Sequence, residues 1–344
     1  MKILKSTQRA EIADPVRSKF AMVVPVVEAI LFSLARDRIE RLGGVERITL
    51  HDLAREFREG HGDAGICFEY AVHEAIANEN PLIHPLASEV LERFCKIKQG
   101  AQSILFGPEK EGVIPVLESV QDALTTDSVV QVGNRGRPPK LRRYIPQIVN
   151  AYRRHEARTN LPRSIRGIWK ADLFLGNSGP DWWVGTTVKI NPSLLQGAQG
   201  LRLAIYPRQN ASDGPRKDGR LNLVRLPLPY DAAFMELFYK AFFLVRAFLD
   251  ADATVPKPVA LPDAEDRFVT QELAARRDFP AVEVVGVLRG MAQPGLLETG
   301  AITNIDVNAT LSQEAGLQKV TAAQPELTES VSLTPVTSTD EDAG

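Results

Sequence analysis

IWKADLFLGNSGPDWWVGTTVKI, residues 168–190, decides the fold class. Its two apolar runs, 168–175 and 182–190, are separated by Gly176-Asn177-Ser178-Gly179-Pro180, residues that favour turns, so the stretch predicts two strands joined in a hairpin. Downstream, 201–206 (LRLAIY) and 221–226 (LNLVRL) read as further strands, and 47–50 has a short strand-like pattern. Upstream, Val24, Val27, Ile30, Leu31, Leu34 and Ile39 keep a helical period until Gly43 and Gly44 stop it. Further helices are predicted at about 51–58, 66–78, 85–98, 113–124 and 144–159. Asp231 is placed to cap a long helix carrying Phe234, Leu237, Phe238, Phe242, Val245 and Phe248. Helices mixed with a run of strands predict an α/β protein.

The rest of the chain bounds this picture. With 344 residues, 44% of them hydrophobic and 24% charged, it has the composition of a globular protein able to bury a core, and collagen-like or wholly disordered classes are excluded. Two cysteines, Cys67 and Cys95, make neither a disulfide framework nor a zinc-site spacing, which fits a reducing, cytoplasmic setting. The most apolar stretch, 20–35, is broken by Pro25 and Glu28 and is too short to span a bilayer, so no membrane association is expected. Residues 291–344 hold eight acids, one base and no aromatic residue, the composition of a disordered acidic tail. The overall net charge of −2 therefore leaves +5 for residues 1–290. The expected organisation is a helical region 1–64, an α/β core 65–255 with a helical and basic insertion at about 80–165, an extension 256–290 opened by Pro256, Pro258 and Pro262, and the tail 291–344.

An acid on one strand and a lysine on its hairpin partner place opposite charges at one edge of a sheet. At a phosphodiester, such an acid holds a divalent cation, and such a lysine orients the attacking water or neutralises charge developing on the phosphate. Asp172 and Lys189 have these positions, and Glu69 or Glu74 on the 66–78 helix could supply a second carboxylate. Plainer readings exist for each residue. Glu69 and Glu74 read as solvated helix residues, Lys189 as a snorkelling edge residue, and Asp172 as the partner of Lys170 or of an arginine from the basic segment. His73 reads as a packed or solvated histidine, and Trp182 and Trp183 as packing residues. An acid inside an apolar strand is costly to bury unpaired, which singles out Asp172.

At these residues the sequence resembles the PD-(D/E)XK, or restriction-endonuclease-like, nucleases. Gly65-Ile66-Cys67-Phe68-Glu69 is similar to the glutamate motif of that family's first core helix, Asp172 to the aspartate of its core strand, and Thr187-Val188-Lys189 to its acid-x-Lys signature. The resemblance covers roughly 65–210 and implies a mixed central sheet flanked by helices. It also implies a Mg²⁺ or Mn²⁺ ion held by Glu69 and Asp172, with Lys189 orienting water. Thr187 stands where the family carries an acid, and a neutral hydroxyl is a weaker metal ligand than a carboxylate. Asp181, at the end of the hairpin, could supply a migrated carboxylate.

A second signal lies in 135–170, where eleven Lys or Arg face a single acid, Glu156. Within it, Asn134-Arg135-Gly136-Arg137-Pro138-Pro139-Lys140, followed by Leu141-Arg142-Arg143, resembles an AT-hook. Two arginines flanking a glycine can enter the narrow minor groove of A·T-rich DNA where the potential is most negative, and the proline keeps the exit extended. The same charges read equally as a solvated basic loop. Together these features lead to the expectation of a metal-dependent DNA endonuclease, of the kind used in restriction or defence against foreign DNA. Arg135, Gly136, Arg137, Pro138, Lys140, Arg142 and Arg143 would contact DNA, with a homo-oligomer or a defence partner protein as further associations. The alternatives are a catalytically silent, nuclease-like DNA-binding or regulatory protein, and an interaction subunit whose basic segment meets a protein.

Overall fold

A computed structural model of the chain describes residues 14–57, 64–106, 128–131, 140–144, 146–147, 150–151, 154–162, 166, 170–198, 200–210, 212–229 and 233–292. Seven strands form one mixed sheet: β1 (Gln102–Leu105), β2 (Val129–Gln131), β3 (Leu173–Asn177), β4 (Trp182–Val188), β5 (Arg202–Pro207), β6 (Arg216–Asp218) and β7 (Leu223–Leu228). The order is β1-β3-β4-β5-β7-β6. β2 and β5 share one side of β4, since β2 runs parallel to its first half (Val129↔Trp182) and β5 parallel to its second (Thr187↔Ala204). β3 takes the other side as the antiparallel arm of the expected hairpin, with Leu173↔Thr186 at one end and Asn177↔Trp182 at the other. β3 and β5 are buried at every position, which explains their unbroken apolar runs.

The hairpin closes tightly at Gly176. A Cβ there would collide with the Trp182 carbonyl oxygen and lie 2.8 Å from Trp183 Cα, so only glycine lets the two arms approach this closely.

Among the described residues, eight α-helices with defined bounds accompany the sheet: α1 (Asp14–Phe32), α2 (Arg36–Arg41), α3 (Leu50–Glu56), α4 (Ala64–Ala77), α5 (His84–Val90), α6 (Ala233–Asp250), α7 (Ala264–Ala274) and α8 (Ala281–Ala292). α4 packs on β1 and β4 while α5 packs on β7. α6 contacts α3, α4 and α7, and its Phe238 meets Phe68 of α4 edge to face at 5.3 Å. Contacts divide the chain into two units: Met22–Val285, which holds the sheet and α2 to α7, and a second unit made of Met1–Ala21 and Gly286–Gly344. No helix among the described residues is long and apolar enough to cross a membrane.

Several expectations change in the structure, beginning with the helical run expected to continue to Gly43, which ends at Phe32 and resumes as α2, Arg36–Arg41. The strand-like 47–50 is instead a 3-10 turn, Val45–Arg47, leading into α3, because Thr49 caps that helix. Its Oγ1 accepts from the Asp52 amide at 3.0 Å, and the Asp52 carboxylate accepts from the Thr49 amide at 3.1 Å. The 85–98 helix is α only to Val90, then widens into a π-turn, Leu91–Cys95, and ends where Lys96 turns left-handed at φ 61°. The insertion at about 80–165 supplies β1 and β2 to the sheet itself, so it belongs in part to the core layer. Within 144–159 the structure shows helical residues 146, 147, 150 and 151 and a 3-10 turn, His155–Asn160. The 113–124 helix, the Asp231 cap and residues 293–344 of the acidic tail lie outside the described residues.

Candidate functional site

Because β3 and β4 are antiparallel, the start of β3 lies beside the end of β4. Asp172 immediately precedes β3, and its amide donates to the Thr186 carbonyl at 2.8 Å. Its carboxylate Oδ2 accepts from three donors at the end of β4: Thr187 Oγ1 at 2.9 Å, the Val188 amide at 2.9 Å and Lys189 Nζ at 3.1 Å. The Lys189 ammonium also donates to Glu69 Oε1 at 2.8 Å, reaching from the sheet to α4. Glu69, Asp172, Thr187 and Lys189, from three separate segments, therefore meet at one point.

The site is shielded on its acidic side. The Asp172 and Glu69 side chains are 9% and 14% exposed, and the ammonium between them 32%. Burial opposes a charge on Lys189, but the two carboxylates more than offset it and hold its pKa above the ordinary lysine value. Lys189 is thus a cation and hydrogen-bond donor at neutral pH, not a base.

One residue at the site escaped the sequence reading. Arg202, the first residue of β5, is 7% exposed and lines a cavity of about 220 Å³ with Asp172, Thr187, Lys189, Lys170 and Gln196. Burial pulls its pKa down to about 10 against the opposing pull of Asp172, and it stays cationic at neutral pH. The signal was present: a charged residue inside the apolar run LRLAIY calls for the same attention as Asp172.

Other candidates are placed elsewhere. Glu74 accepts from Asn78 Nδ2 at 2.7 Å one turn along α4, and His73 Nδ1 lies 2.9 Å from Ser103 Oγ of β1. Asp181 sits at the far end of β4, where its Oδ1 accepts from Ser128 Oγ and from Trp183 Nε1. It braces the hairpin and does not stand in for the acid at Thr187, six residues or roughly 20 Å along an extended strand. Trp183 is buried, as expected of a packing residue, while Trp182 is exposed. Lys140 forms a β-bridge with Val129, and Arg142 and Arg143 lie in a 3-10 turn, Leu141–Tyr144. Arg135, Gly136, Arg137 and Pro138 lie outside the described residues.

Glu69 and Asp172 are hard oxygen donors of the class that Mg²⁺ or Mn²⁺ takes from a protein together with water and phosphate oxygens. Both already turn a carboxylate oxygen toward one cationic centre, the Lys189 ammonium. Among the described residues no cluster of three His, Cys, Asp or Glu is placed to hold a metal ion. Two carboxylates alone would hold such a cation only with the rest of its shell supplied by water or substrate oxygens. Comparison of the chain with protein-family models, with curated proteins and with solved structures finds no match in any of the three.

Proposed function

We propose that the protein is a metal-dependent DNA endonuclease, acting in restriction or defence against foreign DNA, with Glu69, Asp172, Thr187 and Lys189 as its catalytic group. The observation that supports this reading is the meeting of Glu69 and Asp172 on the Lys189 ammonium at 2.8 and 3.1 Å, three residues drawn from a helix and from the positions flanking two strands. Mg²⁺ or Mn²⁺, bound through the two carboxylates, would polarise the scissile phosphate and acidify a water. Lys189 donates a hydrogen bond toward the attacking water and neutralises charge gathering on the phosphate. Thr187 and the Val188 amide hold the Asp172 carboxylate in place. Arg135, Gly136, Arg137, Pro138, Lys140, Arg142 and Arg143, with the rest of the basic segment, supply affinity for the duplex backbone and minor groove.

A specific feature favours a second reading, a silent nuclease-like DNA-binding protein. With Thr187 in place of an acid, the charges of Glu69 and Asp172 are cancelled by those of Lys189 and Arg202, which leaves less net attraction for a divalent cation. One assay separates the two readings: incubation of duplex DNA with Mg²⁺, Mn²⁺ or EDTA, using wild type and Asp172→Asn. Cleavage that requires the ion and the carboxylate supports the enzyme. Tight binding without cleavage under any ion supports the scaffold.

A further inference from the structure

The cavity beside the catalytic group has a size and a charge that limit what can enter it. At about 220 Å³ it is smaller than the roughly 300–1,000 Å³ of pockets that enclose whole small molecules, so its occupant is a single group of a ligand that lies mostly outside. Its charged lining residues are Lys170, Lys189 and Arg202 against Asp172, and with Glu69 on the Lys189 ammonium a single positive charge is left over, which favours an anionic group. Lys170 is exposed, with Nζ 3.2 Å from Gln196 Oε1.

Arg202 is the unusual member, because arginine is almost never this deeply buried unless it is balanced. Asp172 acts on it electrostatically and also accepts from Lys189, Thr187 and the Val188 amide. The sheet register explains how it reaches the site. Thr187 pairs with Ala204, so Arg202, two residues earlier on β5, emerges on the same face as Thr187. A guanidinium fork matches two oxygens of a phosphate, and in a shielded cavity that attraction is screened less than at the surface.

We propose that Arg202 is a substrate-binding residue, and that this cavity takes one backbone phosphate of the DNA, whose charge the guanidinium neutralises beside the catalytic group. The inference rests on the nuclease-like reading for the identity of its ligand, but it concerns binding without metal and is tested there. Arg202→Gln and Arg202→Lys are compared with wild type for affinity to a duplex in EDTA across a salt series, with inorganic phosphate as a competing probe. Arg202→Gln should weaken binding and lower the slope of log affinity against log salt by about 0.9, the loss of one phosphate contact. Arg202→Lys should recover most of both. Inorganic phosphate should raise the unfolding midpoint of wild type at constant ionic strength, and Arg202→Gln should abolish that rise.

A folded Arg202→Gln with unchanged affinity and slope overturns the proposal. So does a phosphate response with undiminished duplex binding, which would assign the cavity to a free anion. If Arg202→Gln does not fold, Arg202→Lys and the wild-type phosphate response decide, and absence of that response overturns the proposal. Mg²⁺-dependent cleavage by wild type is scored separately. Lost cleavage with Arg202-dependent binding intact removes only the enzyme reading, whereas cleavage with an unchanged Arg202→Gln slope removes only the phosphate subsite.

Discussion

A buried carboxylate that accepts from Thr187 Oγ1, the Val188 amide and Lys189 Nζ is fixed by three donors, and this governs what changes at Asp172 will do. Asp172→Asn keeps the shape but removes the charge. Cleavage should be abolished while duplex affinity in EDTA holds or rises, since repulsion from phosphate falls. The stability cost should be about 1–3 kcal/mol in urea titrations, less than the ~3–5 kcal/mol of a broken buried pair, because Glu69 still holds the ammonium. Lys189 carries a pH signature. Its pKa is raised in the fold, so its contribution to stability is complete below the ordinary lysine value of about 10.4 and is lost only as pH climbs through the higher folded value. The stability gap between wild type and Lys189→Ala should therefore stay constant from neutrality to about pH 10.4 and narrow between there and the folded value. A gap that narrows near neutrality would mean that the two carboxylates do not hold the ammonium. Asp172 and Lys189 were legible in sequence because charges within apolar strands need partners. Glu69 could not be told from Glu74 by helical position alone, since only the packing of α4 on β1 and β4 decides which of the two faces Lys189.

At the scale of elements, the β3–β4 hairpin was readable because two apolar runs flank a turn that no other structure would accommodate. β1, β2 and β6 were not, being three or four residues long and in sequence QSIL, VVQ and RKD. Runs that short carry no periodicity of their own and become strands only because a neighbouring edge offers hydrogen bonds. Two substitutions test the hairpin. Gly176→Ala forces a methyl against the Trp182 carbonyl oxygen and Trp183, so the arms must part, and a loss above about 2 kcal/mol is expected in thermal or urea unfolding. Asp181→Ala strands the Ser128 hydroxyl and the Trp183 indole N–H, at a cost of about 1–3 kcal/mol, while metal dependence of any cleavage stays as in wild type. A change in metal dependence would return Asp181 to the site from which its position at the far end of β4 removes it.

For the whole molecule, charge is divided along the chain: residues 291–344 carry −7 and the remainder +5. Net charge this uneven bears on encounter with a polyanion rather than on the fold, and its reach is limited by salt, about 10 Å at 0.1 M. On the proposed reading, eight acids on the same chain oppose the attraction of a polyanion to its basic part. Removing residues 293–344, beyond the end of α8, takes away all eight of those acids and a single lysine. The shortened chain should bind duplex DNA more tightly than the full chain at low salt, and the advantage should shrink as salt rises, because salt screens the repulsion between the tail's acids and phosphate. Arg135→Ala with Arg137→Ala, made in that shortened chain, then identifies how the basic segment reads DNA. Minor-groove insertion predicts a loss larger on A·T-rich than on G·C-rich duplexes, whereas phosphate contact alone predicts an equal loss on both and a salt slope lower by about 0.9 per contact. Unchanged affinity on both duplexes would assign the segment to solvent and leave Arg202 and the catalytic group to account for binding.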